Sequence, residues 1–360
     1  MTEVLLKELN NSDIDWITAT GRRQEIAAGT VLIQEGKILD SLNLILDGSF
    51  VITASQSGNN HLDRAFAALE GDEVKDREIT RLSSGEVVGE IPFVQLRSIG
   101  TTVRATEKST LISLPQQELT AKLQQDVSFA SRFYRAIAIL LSDKISQLGR
   151  SKLSRGQTLR DMLFVLGELN DSDIDWMIAT GRRQKIAANT VLIREGSPVD
   201  ALHILLNGTM SISVSDDQRN PLTRAFAIIE GGETTGREIG RLSKGEIVGE
   251  TSFIDARLPA ATVRAIEDSL VLSIQRQRLA AKLQQDIGFA SRFYRVIAIL
   301  LSHRLQGMFG RLGYGRRVYS KGQPLDENVQ YEEELDSSAL DRMTLAGTKF
   351  DWMLSRLRES

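Results

Sequence analysis

Apolar and polar positions change period twice along the first half of this chain. In residues 6–16 the apolar side chains recur at helical spacing, with Ser12 set as a cap before Asp13 and Asp15. Short β-rich runs follow at residues 30–33, 42–46 and 49–53, punctuated by Gly36 and Gly48. Their alternation and the regular turns predict a small antiparallel barrel or jelly roll. Gly48 follows Asp47 and Gly208 follows Asn207, each the signal of a tight hairpin. Residues 55–79 read either as one or two helical turns, around 62–70, or as an extra β-hairpin. Residues 110–114 predict a last strand. From 115 to 148 the period turns helical, with Leu119, Leu123, Phe129, Phe133, Ile137, Leu141 and Ile145 on one face.

The whole pattern then recurs. Asp13-Ile-Asp-Trp16 returns as Asp173-Ile-Asp-Trp176, and Ala121-Lys-Leu-Gln-Gln-Asp126 as Ala281-Lys-Leu-Gln-Gln-Asp286. The offset of 160 holds from Asn10 to Ser302 without a gap. A period this long marks a duplicated domain rather than a solenoid unit. The expected organisation is a domain over 1–150, a linker over 151–160, a second domain over 161–310 and a tail over 311–360. The tail is acidic in its middle and ends in an amphipathic stretch carrying Met343, Phe350, Met353, Leu354 and Leu357. That stretch predicts a helix that either packs back on its own domain or docks on a partner.

Composition narrows the chemistry. With 41% hydrophobic and 25% charged residues the chain reads as soluble and globular, and a net charge of -3 gives no overall basic balance toward nucleic acid. The lack of cysteine excludes disulfides, thiolate catalysis and cysteine-ligated metals, and points to a reducing, cytoplasmic setting. No signal peptide is expected, and the longest apolar runs, 136–141 and 296–301, are far short of a membrane span. His61, His203 and His303 have no twins in the other repeat and read as surface or packing residues. No nucleophile with a base, metal set or triphosphate loop appears, so no enzyme is expected. In Ser-Arg-Phe-Tyr-Arg, at 131–135 and 291–295, the aromatics are expected to pack on the barrel with the arginines outside.

One constellation remains. Each repeat carries Glu-Gly (35–36, 195–196), then Gly48 or Gly208, then a Gly-Glu pair, a short turn and a small-residue run. This order resembles the cyclic-nucleotide-binding domain of the catabolite activator family and of cyclic-nucleotide-regulated kinases, over roughly 10–148 and 170–308. The resemblance implies a mainly β fold with flanking α-helices, as two tandem jelly-roll domains. It implies cyclic AMP or cyclic GMP as ligand. Glu90 and Glu250 match the glutamate that accepts a hydrogen bond from the ribose 2′-hydroxyl, and Gly89 and Gly249 the glycine before it. Ala260, Ala261 and Thr262 match the run whose backbone amides meet the cyclic phosphate.

The family's phosphate-clamping arginine falls at Ile99 and Pro259, neither of which carries charge. A charge-assisted hydrogen bond contributes about 1.5–3 kcal/mol, so its loss costs roughly ten- to a hundredfold in affinity. Arg97 and Arg257 stand two residues earlier. They either supply the missing cation or remain turn arginines, paired with an acid such as Asp255. Glu90 and Glu250 in turn either hold a ribose or cap local amides.

Two functions are therefore expected. One is a cyclic-nucleotide sensor that signals through its helices and tail to a protein partner or a second copy. The other is a structural adaptor whose pocket has lapsed. Direct DNA binding is not expected, because the tail is too short and too acidic for a winged helix-turn-helix.

Overall fold

The computed structural model describes residues 3–34, 40–55, 76–89, 101–147, 166–215, 236–254, 258–311 and 337–359. The predicted linker, most of 55–79 with its twin at 222–230, and the acidic part of the tail lie outside them. The chain divides into two compact units, residues 1–148 with 298–339 and residues 149–297 with 340–360.

Each unit contains one barrel of two four-stranded antiparallel sheets. In the first barrel the strands are β1 (Arg22–Ile26), β2 (Val31–Ile33), β3 (Ser41–Asp47), β4 (Ser49–Ser55), β5 (Asp76–Ser83), β6 (Val87–Val88), β7 (Thr102–Ala105) and β8 (Ser109–Pro115). They pair in the orders β1-β8-β3-β6 and β2-β7-β4-β5. The second barrel repeats this with β9 (Arg182–Ile186), β10 (Val191–Ile193), β11 (Ala201–Asn207), β12 (Met210–Val214), β13 (Arg237–Leu242), β14 (Ile247–Val248), β15 (Thr262–Ala265) and β16 (Ser269–Gln275). Its orders are β9-β16-β11-β14 and β10-β15-β12-β13. The jelly-roll expectation is met in both copies.

The barrel cores are the same set of positions moved by the repeat. Ile33, Ile45, Phe50, Leu82, Val88, Val103, Ala105 and Leu111 fill the first. Ile193, Leu205, Met210, Leu242, Val248, Val263, Ala265 and Val271 fill the second. Because side chains alternate across a strand, these inward positions recur every second residue. Gly48 and Gly208 make the predicted hairpins at φ +93° and +95°, and a Cβ there would lie 2.2 and 2.3 Å from Ser109 Oγ and Ser269 Oγ. Only glycine serves at that turn.

The helices depart from the sequence reading in two places. Residues 6–16 form parts of two helices, α1 (Glu3–Glu8) and α2 (Asn11–Thr20), and the cap of α2 is Asn10 rather than Ser12. Asp13 N donates to Asn10 Oδ1 at 2.9 Å and Asn10 N to Asp13 Oδ2 at 3.0 Å, a reciprocal box that satisfies two amides. The long helical stretch after the barrel is likewise broken, at Asp126, into α3 (Gln116–Gln125) and α4 (Val127–Gln147). Asp126 accepts from Phe129 N at 2.8 Å and from Lys122 Nζ at 2.9 Å. The amide of Phe129 and then the Lys122 cation hold its carboxyl below the usual range. The second domain repeats these elements as α5 (Asp171–Thr180), α6 (Arg276–Gln285) and α7 (Ile287–Arg311).

The Ser-Arg-Phe-Tyr-Arg arginines, expected outside, are half-buried and tie helices together. Arg132 grips Asp13 through two bonds of 2.6 and 2.9 Å, joining α4 to α2. Arg292 grips Asp173 at 2.6 and 2.8 Å, joining α7 to α5. Arg135 reaches Glu8 and Arg295 reaches Glu168. The aromatics do pack inward: Phe129 and Phe133 are buried, with Trp16 edge-on to Phe129 at 5.4 Å. The final helix, α8 (Ser337–Glu359), belongs from residue 340 onward to the second unit. Its Ala346, Phe350, Met353 and Leu357 are buried. Among the described residues no helix is long and apolar enough to cross a membrane.

Candidate functional site

The site is built where strand β14 runs into the β14–β15 connection. Gly249 takes a left-handed conformation at φ +86°, and a Cβ on it would sit 2.8 Å from Ala201 O and 3.1 Å from Val199 Cγ1. Both the torsion and the lack of room demand glycine. The turn it makes throws Glu250 inward at the start of a short 3₁₀ turn, Glu250–Phe253. Glu250 is 2% exposed and is engaged within the chain. Ser252 and Ile254 are buried beside it in sequence, and the Arg276 guanidinium lies 5.6 Å over the Phe253 ring.

The other half of the connection is the small-residue run. Pro259 O accepts from Gly196 N at 2.9 Å. Thr262 Oγ1 accepts from Glu195 N at 3.1 Å, and Glu195 Oε2 in turn accepts from Ser215 N at 2.9 Å. The Glu195-Gly196 pair therefore braces the run from behind. Between those two anchors Ala260 is exposed while Ala261 and Thr262 are half-buried. Short side chains there leave the backbone open to an approaching group.

Of the residues singled out in the sequence, Gly249, Glu250, Ala260, Ala261 and Thr262 thus lie on one connection of the second barrel. Arg257 lies outside the described residues. In the first barrel Gly89 repeats the left-handed turn at φ +89°, but Glu90, Arg97 and Ile99 lie outside the described residues. The brace by Glu195 was not read from the sequence, where Glu-Gly served only as part of the pattern. Its signal was present in the twin at Glu35-Gly36. The Arg276–Phe253 contact had no such signal, since Pro115 and Gln116 occupy the neighbourhood in the other copy. Among the described residues no cluster of metal-ligating side chains occurs.

A family model described as the cyclic nucleotide-binding domain matches residues 23–126 and again 183–286, together more than half of the chain. The chain belongs to the cyclic nucleotide-binding domain family. Both repeats are members in tandem, and the left-handed glycine before a buried glutamate falls within the second matched segment. Among curated protein sequences none matches the chain. Solved structures that resemble it include cAMP-bound PfPKA-R, at 18% identity over 79% of this chain and 80% of that one, with a TM-score of 0.31. The regulatory domain of Toxoplasma gondii PKA with cAMP matches at 16% identity over 79% and 89%, with a TM-score of 0.26. A regulatory subunit of a cAMP-independent protein kinase A from Trypanosoma cruzi, bound to guanosine, matches at 14% over 78% and 81%, with a TM-score of 0.27.

Proposed function

We propose that this chain is a non-catalytic, cytoplasmic regulatory protein whose second domain binds a cyclic nucleotide and passes the binding event to a protein partner. The observation that carries this reading is the arrangement of the described parts of the β14–β15 connection. A left-handed Gly249 delivers a buried Glu250, and Glu195-Gly196 holds the facing small-residue run in place. In that arrangement Glu250 accepts the ribose 2′-hydroxyl, and the backbone at Ala260, Ala261 and Thr262 meets the cyclic phosphate. Arg257 supplies the cation that Pro259 cannot, and Gly89, Glu90 and Arg97 form the corresponding set in the first domain. Without an arginine the glutamate would repel a phosphate, so Arg257 decides the outcome.

Isothermal titration of the full chain with cyclic AMP and cyclic GMP tests the proposal. Saturable binding to the second domain is expected for one of them. Glu250→Gln should weaken it at least about tenfold, and Arg257→Ala by roughly ten- to a hundredfold, the loss of one charge-assisted contact. An isotherm flat for both nucleotides would sink the sensor.

Ile99 and Pro259 favour the second reading, in which both pockets have lapsed and the barrels serve as an adaptor in a larger assembly. That reading expects a stable complex with a second copy or another protein in sedimentation, unchanged by either nucleotide.

A further inference from the structure

A cavity of about 540 Å³ in the second barrel shares no residue with the 249–262 connection. Its floor is a row of side chains in register across one sheet. Arg182 on β9 is paired with Ser273 on β16, which is paired with His203 on β11. By strand alternation these face the same way as the core residues Leu205 and Val271. They stand where that inward-facing row turns polar. His203 is 8% exposed and Ser273 5%. His203 Nδ1 lies 2.8 Å from Ser273 Oγ, which donates to Gln184 Oε1 at 2.9 Å.

The first barrel repeats the row, buried at two of its three positions. Arg22, Ser113 and Asn43 are its register partners. Asn43 is 2% exposed, and its Nδ2 has no hydrogen-bond partner among the described residues. Burying an amide donor in that state costs about 1–3 kcal/mol. Both copies thus keep polar groups at this depth, bonded to one another in the second.

Two guanidinium groups line the cavity, Arg182 at the end of that row and Arg194 on the segment after β10, both exposed and with no partner among the described residues. Asp200 also lines it. A planar guanidinium matches carboxylate and phosphate oxygens through paired N–H donors. The volume is that of an ordinary small-molecule pocket. We propose that this cavity is a second ligand site, taking a small organic anion with a carboxylate or phosphate on Arg182 and Arg194 and a neutral polar group on the His203–Ser273–Gln184 row. Asp200, also in the lining, accepts from a hydroxyl of the ligand. The cavity also has a wall in common with the Gly249 turn, because Val199 and Ala201 line it and lie against Gly249. The assignment of this site does not rest on the cyclic-nucleotide reading.

Titration calorimetry of the full chain with inorganic phosphate and with citrate, at low ionic strength, tests the site and distinguishes the two anion classes. One-site saturable binding of at least one probe is expected. Arg182→Gln and Arg194→Gln should each weaken it about tenfold, as the loss of one charge-assisted contact requires. Arg278→Gln, an exposed charge change outside the cavity, should leave it within twofold or so. Thermal unfolding of each variant controls for folding, and both arginines are exposed enough to be replaced without disturbing the core. Absence of saturable binding for both probes overturns the proposal. So does binding that Arg278→Gln weakens as much as Arg194→Gln, which would report only surface charge.

Discussion

Between Asn43 in the first barrel and His203 in the second, one buried position carries two different polar side chains. Burial pushes the His203 imidazole down to about 4, so near neutrality it sits uncharged against Ser273. The unfolded chain binds its proton near pH 6.5, whereas the folded chain does so only near 4. Between those values the unfolded state holds more protons, so the stability from a neutral His203 is complete above about pH 6.5 and lost as pH falls toward 4. The charged groups that share the His203 cavity are Arg182, Arg194 and Asp200. At pH 5 this one group should cost the wild type about 2 kcal/mol relative to pH 7. His203→Asn, which installs the side chain of the first copy, should remove that loss from the denaturant midpoint of the second domain. A variant with the same pH profile as the wild type would show that His203 is not the group responsible. None of this was legible in the sequence. A histidine without a twin looked incidental, and only the sheet register revealed that it shares its row with Ser273 and Arg182.

At the scale of elements, the paired latches between the leading and trailing helices carry most of the information that sequence could not. Asp13 and Arg132 are far apart in the chain, as are Asp173 and Arg292, and neither the helical period nor the repeat says which charges meet. The repeat did fix both barrels, because an ungapped offset of 160 and the glycine turns leave little freedom for a different fold. It also gave the buried face of the trailing helices, since Phe129, Phe133, Ile137 and Leu141 keep a helical spacing whatever packs on them. The break at Asp126 was missed because the apolar period runs through it. Its signal is the capping aspartate three residues before Phe129. Magnitudes separate the latches from the other ion pairs. Arg292 is about a third exposed and Asp173 is buried, with two bonds between them, and Asp173 raises the Arg292 guanidinium above its ordinary range. Asp173→Asn should therefore destabilise the second domain by about 2–3 kcal/mol in chemical denaturation. Arg292→Lys should recover only part of what Arg292→Ala loses, because an ammonium cannot make the paired contact. Arg241 and Glu238, exposed on β13, form the contrasting case. Breaking that pair should move stability by less than about 1 kcal/mol. Equal effects at the two pairs would remove the latch from any account of how α5 and α7 are held.

At the scale of the molecule, the question is what the last helix is for. An amphipathic helix appended after both repeats has the profile of a docking element, and sequence left that open beside the alternative of self-packing. The described residues of α8 spend their apolar face inside the second unit. Phe350, Met353 and Leu357 are buried there at 3, 0 and 4% exposure, and Lys244 lies 5.4 Å over the Phe350 ring. Its polar edge is used too. Lys349 Nζ donates to Leu169 O at 2.6 Å, and Arg183 donates to Leu357 O near the helix end. A partner that took this face would have to displace all of these contacts, each large apolar side chain contributing about 1.5–3 kcal/mol when buried. Truncation before residue 337 should therefore act first on the second domain, lowering its stability by about 3 kcal/mol or more, the higher sums being upper bounds. Hydrogen exchange read peptide by peptide would detect this as lost protection in α5 and in strands β9 and β16, where Arg183 and the docked helix are anchored. Protection unchanged there, together with the loss of a partner complex, would make the helix a docking element after all and return the adaptor reading to first place.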